Sequence, residues 1–142
     1  MQAKWIGAAA ALAVLVGGAA HAGTLRFEAT LKGSSETPPN ATTGTGHLAA
    51  TLDTTSRMFT YKVSYSGLTG AVTMAHFHKG AVGVSGPPVL PVPKSALGDP
   101  IGGEATLTAA QVSDLEAGKW YFNIHTAAHP GGEVRGQVEE VR

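Results

Sequence analysis

Residues 74 to 80 read MAHFHKG, and two more histidines, His125 and His129, stand in the later stretch WYFNIHTAAHPGG. Side chains two apart on an extended strand point the same way, so His76 and His78 present neighbouring imidazoles on one face. His125 ends a run of alternating character, and His129 follows it in a loop. Four imidazoles in two groups, each at the end of a late strand, make a nitrogen-rich set suited to Cu or Zn if the strand ends meet. The chain has no Cys, which leaves imidazole as the obvious strong ligand and excludes cysteine-based structural zinc and c-type haem attachment. The alternative is structural: histidines at strand ends are often half exposed and make ordinary hydrogen bonds. His47, on the polar face of its own strand, reads as a surface residue.

No other chemistry stands out. GSSETPPN holds Ser and Glu without a paired base, so there is no nucleophile signature and no catalytic residue is assigned. Asp99, Glu104, Asp114 and Glu116 are scattered through turns, a strand and a helix, where capping and solvation account for them. Glu133 and Arg135, two apart on one strand face, can simply pair across the sheet, and the role of Arg135 stays open, since an exposed strand arginine serves either as a pairing residue or as an anion contact. The triplet NAT at Asn40 matches a glycosylation acceptor, a short pattern with meaning only in a eukaryotic secretory route. GAVGVSGPP lacks the strand, glycine spacing and helix order of a phosphate loop.

The elements that must position the histidines are mostly strands. In TLRFEATLK, Leu25, Phe27, Ala29 and Leu31 share one face and charged or polar residues take the other, the pattern of a strand with one wet side. GHLAATLD turns Leu48, Ala50 and Leu52 inward, and RMFTYKVSYS does the same with Phe59, Tyr61, Val63 and Tyr65; DTTSR between them reads as a hairpin. The strand AVTMAHFH carries the histidine pair. The Gly- and Pro-rich stretch 79–100 permits at most a short edge strand, and IGGEATL is another short one. LTAAQVSDLEAGKW breaks the pattern: Thr108 with Gln111 three residues on is a capping box and Gly118 a stop, which predicts one short helix near residues 108–117. KWYFNIH then places Trp120, Phe122 and Ile124 on one face and Tyr121, Asn123 and His125 on the other. GEVRGQVEEV is the last strand. Seven or eight short antiparallel strands at this spacing predict an all-β, immunoglobulin-like Greek-key β-sandwich.

The first 22 residues stand apart. Lys4, an apolar run from Trp5 through Ala20 and the small-residue site Ala20-His21-Ala22 read as a secretory signal peptide. The expected division is therefore residues 1–22 as leader and 23–142 as one domain, periplasmic or secreted and free of the membrane after cleavage. At 142 residues with a formal charge of zero and only 14% charged residues, the chain suits a single domain and lacks the basic footprint of a nucleic acid binder. Loss of Lys4 leaves a mature charge of −1, with ten acidic against nine basic residues. Without Cys no disulfide framework is available, so the fold must stand on its core.

The segments AHFHKGAVGVSGPPV and LTAAQVSDLEAGKWYFNIHTAAHPGGEVRGQV together resemble the CHRD domain, named after the repeats in chordin and found as single domains in exported bacterial proteins. The resemblance runs from about Thr24 to Val138. It implies an immunoglobulin-like sandwich and a binding-module precedent, since chordin binds growth factors, and it carries over no catalytic residue. More loosely, His-x-His on one strand with NIHT and GEVRG near the C-terminus is similar to the copper site of copper and zinc superoxide dismutase. On that likeness His76, His78 and His125 would be copper ligands. The zinc loop with its bridging histidine and aspartate has no counterpart here, and that family's disulfide cannot form; a shared architecture does not carry shared chemistry. The expectation is a non-catalytic binding protein for Cu or Zn. Two alternatives stay open: a protein-interaction module using the 79–100 loop, and a copper-dependent oxidoreductase.

Overall fold

The computed structural model describes residues 22–142, so the expected leader lies outside the described residues except for Ala22. The strands are β1 (Thr24–Lys32), β2 (Thr45–Asp53), β3 (Met58–Ser66), β4 (Val72–Lys79), β5 (Pro88–Pro91), β6 (Ile101–Thr106), β7 (Trp120–Thr126), β8 (Val134–Gln137) and β9 (Glu139–Glu140), with helix α1 (Ala109–Glu116) before β7. Every pairing is antiparallel. The sheet runs in the order β5-β4-β7-β8-β1-β2-β3-β6, with β9 added to β1.

Burial follows the sequence period on the first three strands. Phe27, Ala29 and Leu31 of β1, Leu48, Ala50 and Leu52 of β2, and Phe59, Tyr61 and Val63 of β3 are all buried, while their neighbours in sequence face out. The β2–β3 connection is tight because the Asp53 carboxylate accepts from the backbone N–H groups of Thr55 and Ser56 (2.9 and 2.8 Å), a local turn that an Asp side chain favours. The four-residue β5 lies at the sheet edge, where its prolines cost no ladder bond.

The sheet curls until its ends face each other. β3 and β4 are far apart in strand order, yet Phe59 and Tyr61 of β3 meet Phe77 of β4 with ring centroids 5.3 and 5.0 Å apart. Trp120 of β7 adds an edge contact to Phe59 at 6.1 Å. These rings are fully or almost fully buried, each worth about 1.5–3 kcal/mol by area alone, and they hold the curl closed. Helix α1 begins as its capping box predicts: Thr108 Oγ1 accepts from the Gln111 N–H and Gln111 Oε1 from the Thr108 N–H. Gly118, at φ 70°, follows its end. The helix lays Leu115 on the core, and Asp114 pairs with Lys79 at the end of β4 at 2.8 Å. Among the described residues no helix is long and apolar enough to cross a membrane.

Strand β7 departs from the expected pattern. Trp120, Phe122 and Ile124 face the core, but Tyr121, Asn123 and His125 on the opposite face are buried as well. Loops fold over that face of β4, β7 and β8, and the histidines lie beneath them.

Candidate metal centre

β4 and β7 pair directly, with Met74 opposite His125, His76 opposite Asn123 and His78 opposite Tyr121. That register brings His76, His78 and His125 onto one surface, one ring nitrogen from each lying within 4.8 Å of the others. His76 Nδ1 stands 3.3 Å from His125 Nε2. His78 and His125 are buried and His76 is half-buried.

Backbone carbonyls set the tautomers of two rings. A carbonyl oxygen only accepts, so Nδ1 of His78, 2.8 Å from the Gly86 oxygen, carries a proton and donates it. His125 Nδ1 donates likewise to the Pro130 oxygen at 2.8 Å. The Nε2 atoms of both rings then turn inward, each within 3.1 Å of the Asn123 side-chain oxygen. One ring nitrogen held by a backbone carbonyl and the other directed at a common point is the arrangement in which histidine binds metals.

Burial favours the neutral imidazole at His76 and His78. Burial pushes the His76 imidazole below its ordinary pKa, and His125 and His78 push it further down. His78 is lowered chiefly by burial; its bonds to Gly86 and Asn123 act the other way, and His125 and Arg135 add to the lowering. A metal ligand must be deprotonated, so the enclosure favours the form that binds.

A stack of three side chains backs the centre. The Tyr121 ring lies parallel to His78, centroids 4.7 Å apart and planes 5° apart. The Arg135 guanidinium carbon sits 3.4 Å from the Tyr121 ring centroid. Arg135 also donates through Nη2 to the Ala81 and Val84 carbonyls at 2.9 and 2.8 Å, and through Nη1 to Thr37 Oγ1 at 3.2 Å. It thereby pins the 80–86 segment whose Gly86 orients His78. The Glu36 carboxyl is buried, with Oε1 lacking a hydrogen-bond partner. Burial raises its pKa, opposed by the charge of Arg135, the Thr37 backbone and the Asn123 amide, which faces it without closing a bond onto Oε1.

A cross-sheet pair of Glu133 and Arg135, one of the readings open to these residues, does not form. Glu133 instead accepts from Thr42, Thr69 and Thr126 hydroxyls at 2.7 to 2.8 Å and from the Thr69 N–H. Burial opposes its ionisation, yet these donors outweigh it and leave the pKa lowered. With its acceptors filled by neutral donors, Glu133 has no need of a guanidinium, and Arg135 is free to serve the loop.

Of the four candidate ligands, three come together. His129 is half-buried in the loop after β7 and outside that group; its backbone carbonyl accepts from the Thr126 and Gly132 N–H groups, and the residue lines a small cleft with Glu36 and Pro130. His47 is exposed, as its strand face implies. Sequence reasoning missed Asn123, Tyr121 and Glu36 as parts of the centre and left Arg135 unplaced. The available signal was that Tyr121 and Asn123 share the face of His125 by period two.

Among known proteins, the family model of the CHRD domain matches residues 27–138. No curated protein and no solved structure matches the chain. The matched span runs from within β1 through β8 and holds all three converging histidines, and the chain belongs to the CHRD domain family.

Proposed function

We propose that this protein is an exported, non-catalytic binding protein that takes up one transition-metal ion through His76, His78 and His125. One observation carries the reading: two imidazoles locked by backbone carbonyls turn their second nitrogens toward a third imidazole. Copper is favoured over zinc by Met74. It lies two residues before His76 and opposite His125, 44% exposed, and a thioether at the rim of an imidazole site suits soft Cu(I). The leader pattern at residues 1–22 supports a periplasmic or secreted location, and the alternating strands support an immunoglobulin-like Greek-key arrangement of the curled sheet.

Elemental analysis of the purified protein, followed by calorimetric titration with Cu(II) and Zn(II), tests the proposal. One equivalent is expected, lost in the His76→Ala/His78→Ala double variant while the fold persists by circular dichroism. Unchanged uptake in that variant, or no tight uptake by the wild type, refutes it. A protein-interaction role for the 79–100 loop has one observation in its favour, the exposure of Val82 and Val84 (77% and 53%). Capture of a partner that depends on this loop and ignores chelator would support that reading instead.

A further inference from the structure

We infer that Asn123 supplies a fourth, oxygen donor to the metal through Oδ1, an inference that rests on the binding role proposed above. Asn123 is 4% exposed and sits at the centre of β7, flanked by His76 on β4 and Arg135 on β8. Its Oδ1 lies 3.0 Å from His78 Nε2 and 3.1 Å from His125 Nε2.

As ordinary hydrogen bonds these two contacts are hard to satisfy. Oδ1 only accepts, so both Nε2 atoms would have to carry protons. Both rings already donate through Nδ1 to carbonyls, and each would then be an imidazolium. Two buried cations side by side, facing the half-buried His76, are what desolvation and mutual repulsion oppose.

As the edges of a coordination shell the same distances fit. Metal–nitrogen and metal–oxygen bonds of about 2.0–2.1 Å separate neighbouring ligand atoms by roughly 2.9 Å at right angles and roughly 3.3–3.4 Å at tetrahedral angles. Three of the six separations among these atoms fall within that span, Asn123 Oδ1 to His78 Nε2 at 3.0 Å, Asn123 Oδ1 to His125 Nε2 at 3.1 Å and His76 Nδ1 to His125 Nε2 at 3.3 Å, and the three ring nitrogens lie within 4.8 Å of one another. Three lone-pair nitrogens and one lone-pair oxygen then face one cation. The other side of the amide agrees: a Cβ built on Gly132 would meet both Asn123 Nδ2 (2.9 Å) and Glu36 Oε1. The donor end of the amide thus lies on the Gly132 side, in the neighbourhood of a carboxyl oxygen without a partner, and its acceptor end faces the histidines.

The competing arrangement rotates the amide, so that Nδ2 donates to the histidines and Asn123 only orients them. Cu(II) titration and electron paramagnetic resonance at one equivalent, on wild type, Asn123→Ala and Asn123→Asp, separate the two. The inference expects Asn123→Ala to bind about 10–100-fold more weakly with shifted parallel g and hyperfine values, and Asn123→Asp to bind at least as tightly as wild type with its own shifted spectrum. Should Asn123→Ala fail to fold, Asn123→Asp alone decides. A wild-type spectrum in either variant, whatever its affinity, removes Asn123 from the shell and leaves the three-histidine site standing. No Cu(II) uptake by the wild type overturns the binding role and this inference with it.

Discussion

Replacing Arg135 with Met tests whether the covered face of β7 is held shut by one guanidinium. Met keeps an apolar stem of similar reach and removes the charge and its donors. Arg135 makes charge-assisted bonds to two carbonyls, Ala81 and Val84, and covers the Tyr121 ring at 3.4 Å. Such bonds contribute up to about 1.5–3 kcal/mol each, but these carbonyls belong to exposed residues, and water replaces part of the loss, leaving about 1 kcal/mol apiece. A desolvated cation over an aromatic ring adds about 2 kcal/mol. The buried Glu36 carboxyl also loses the charge that offsets its burial. Arg135→Met should therefore destabilise the metal-free protein by about 3–4 kcal/mol, a large share of a typical 5–15 kcal/mol. Urea unfolding at pH 7 of Arg135→Met, Glu36→Gln and the double variant gives the cycle. Adding Glu36→Gln to the Arg135→Met variant should restore about 1 kcal/mol or more, because the buried acid whose burial the Arg135 charge offsets is gone. A cost below about 1 kcal/mol for Arg135→Met, or strict additivity of the two changes, would refute the argument that Arg135 closes this face and steadies Glu36.

The pH dependence of the metal-free protein follows from the lowered His76 and His78. A histidine with a depressed folded pKa binds fewer protons in the native state, so its stabilisation is complete above the unfolded value of about 6.5 and is lost as pH falls through it toward the folded value. Urea midpoints should fall between pH 7.5 and 5.5, and the slope should flatten in His76→Ala/His78→Ala; equal midpoints across that window count against buried neutral rings. Met74→Ala should weaken Cu(I) binding by about tenfold and leave Zn(II) within about twofold, since a thioether distinguishes soft from borderline ions. Competition with a Cu(I) chelator and a zinc dye reads both, and an equal loss for the two metals would deny Met74 its selective part.

The strands of the first half were legible because water lies on one side of them. Phe27, Ala29 and Leu31 alternate with exposed neighbours, and any period-two reading finds them. The same rule placed Tyr121, Asn123 and His125 together on the face opposite Trp120, Phe122 and Ile124 but carried no sign that this face is buried as well. They are buried by chain far away in sequence: Thr37 and Arg135, 98 residues apart, and Arg135 with Ala81 and Val84, 54 and 51 apart. A local period reports direction and not what lies overhead, which is also why nothing in the Pro-rich stretch around Glu36 marked that carboxyl as buried. The histidine pair was visible because i and i+2 suffice to align two rings, and His125 was visible at its strand end. Their orienting partners were not, since the Gly86 and Pro130 groups are main-chain carbonyls, which every residue has and no side-chain pattern announces. The segments that bring those carbonyls also exclude water from the rings. One covering therefore fixes the tautomers of His78 and His125 and favours the neutral form of His76 and His78, so affinity for a metal is tied to how firmly residues 80–86 and 127–132 stay closed.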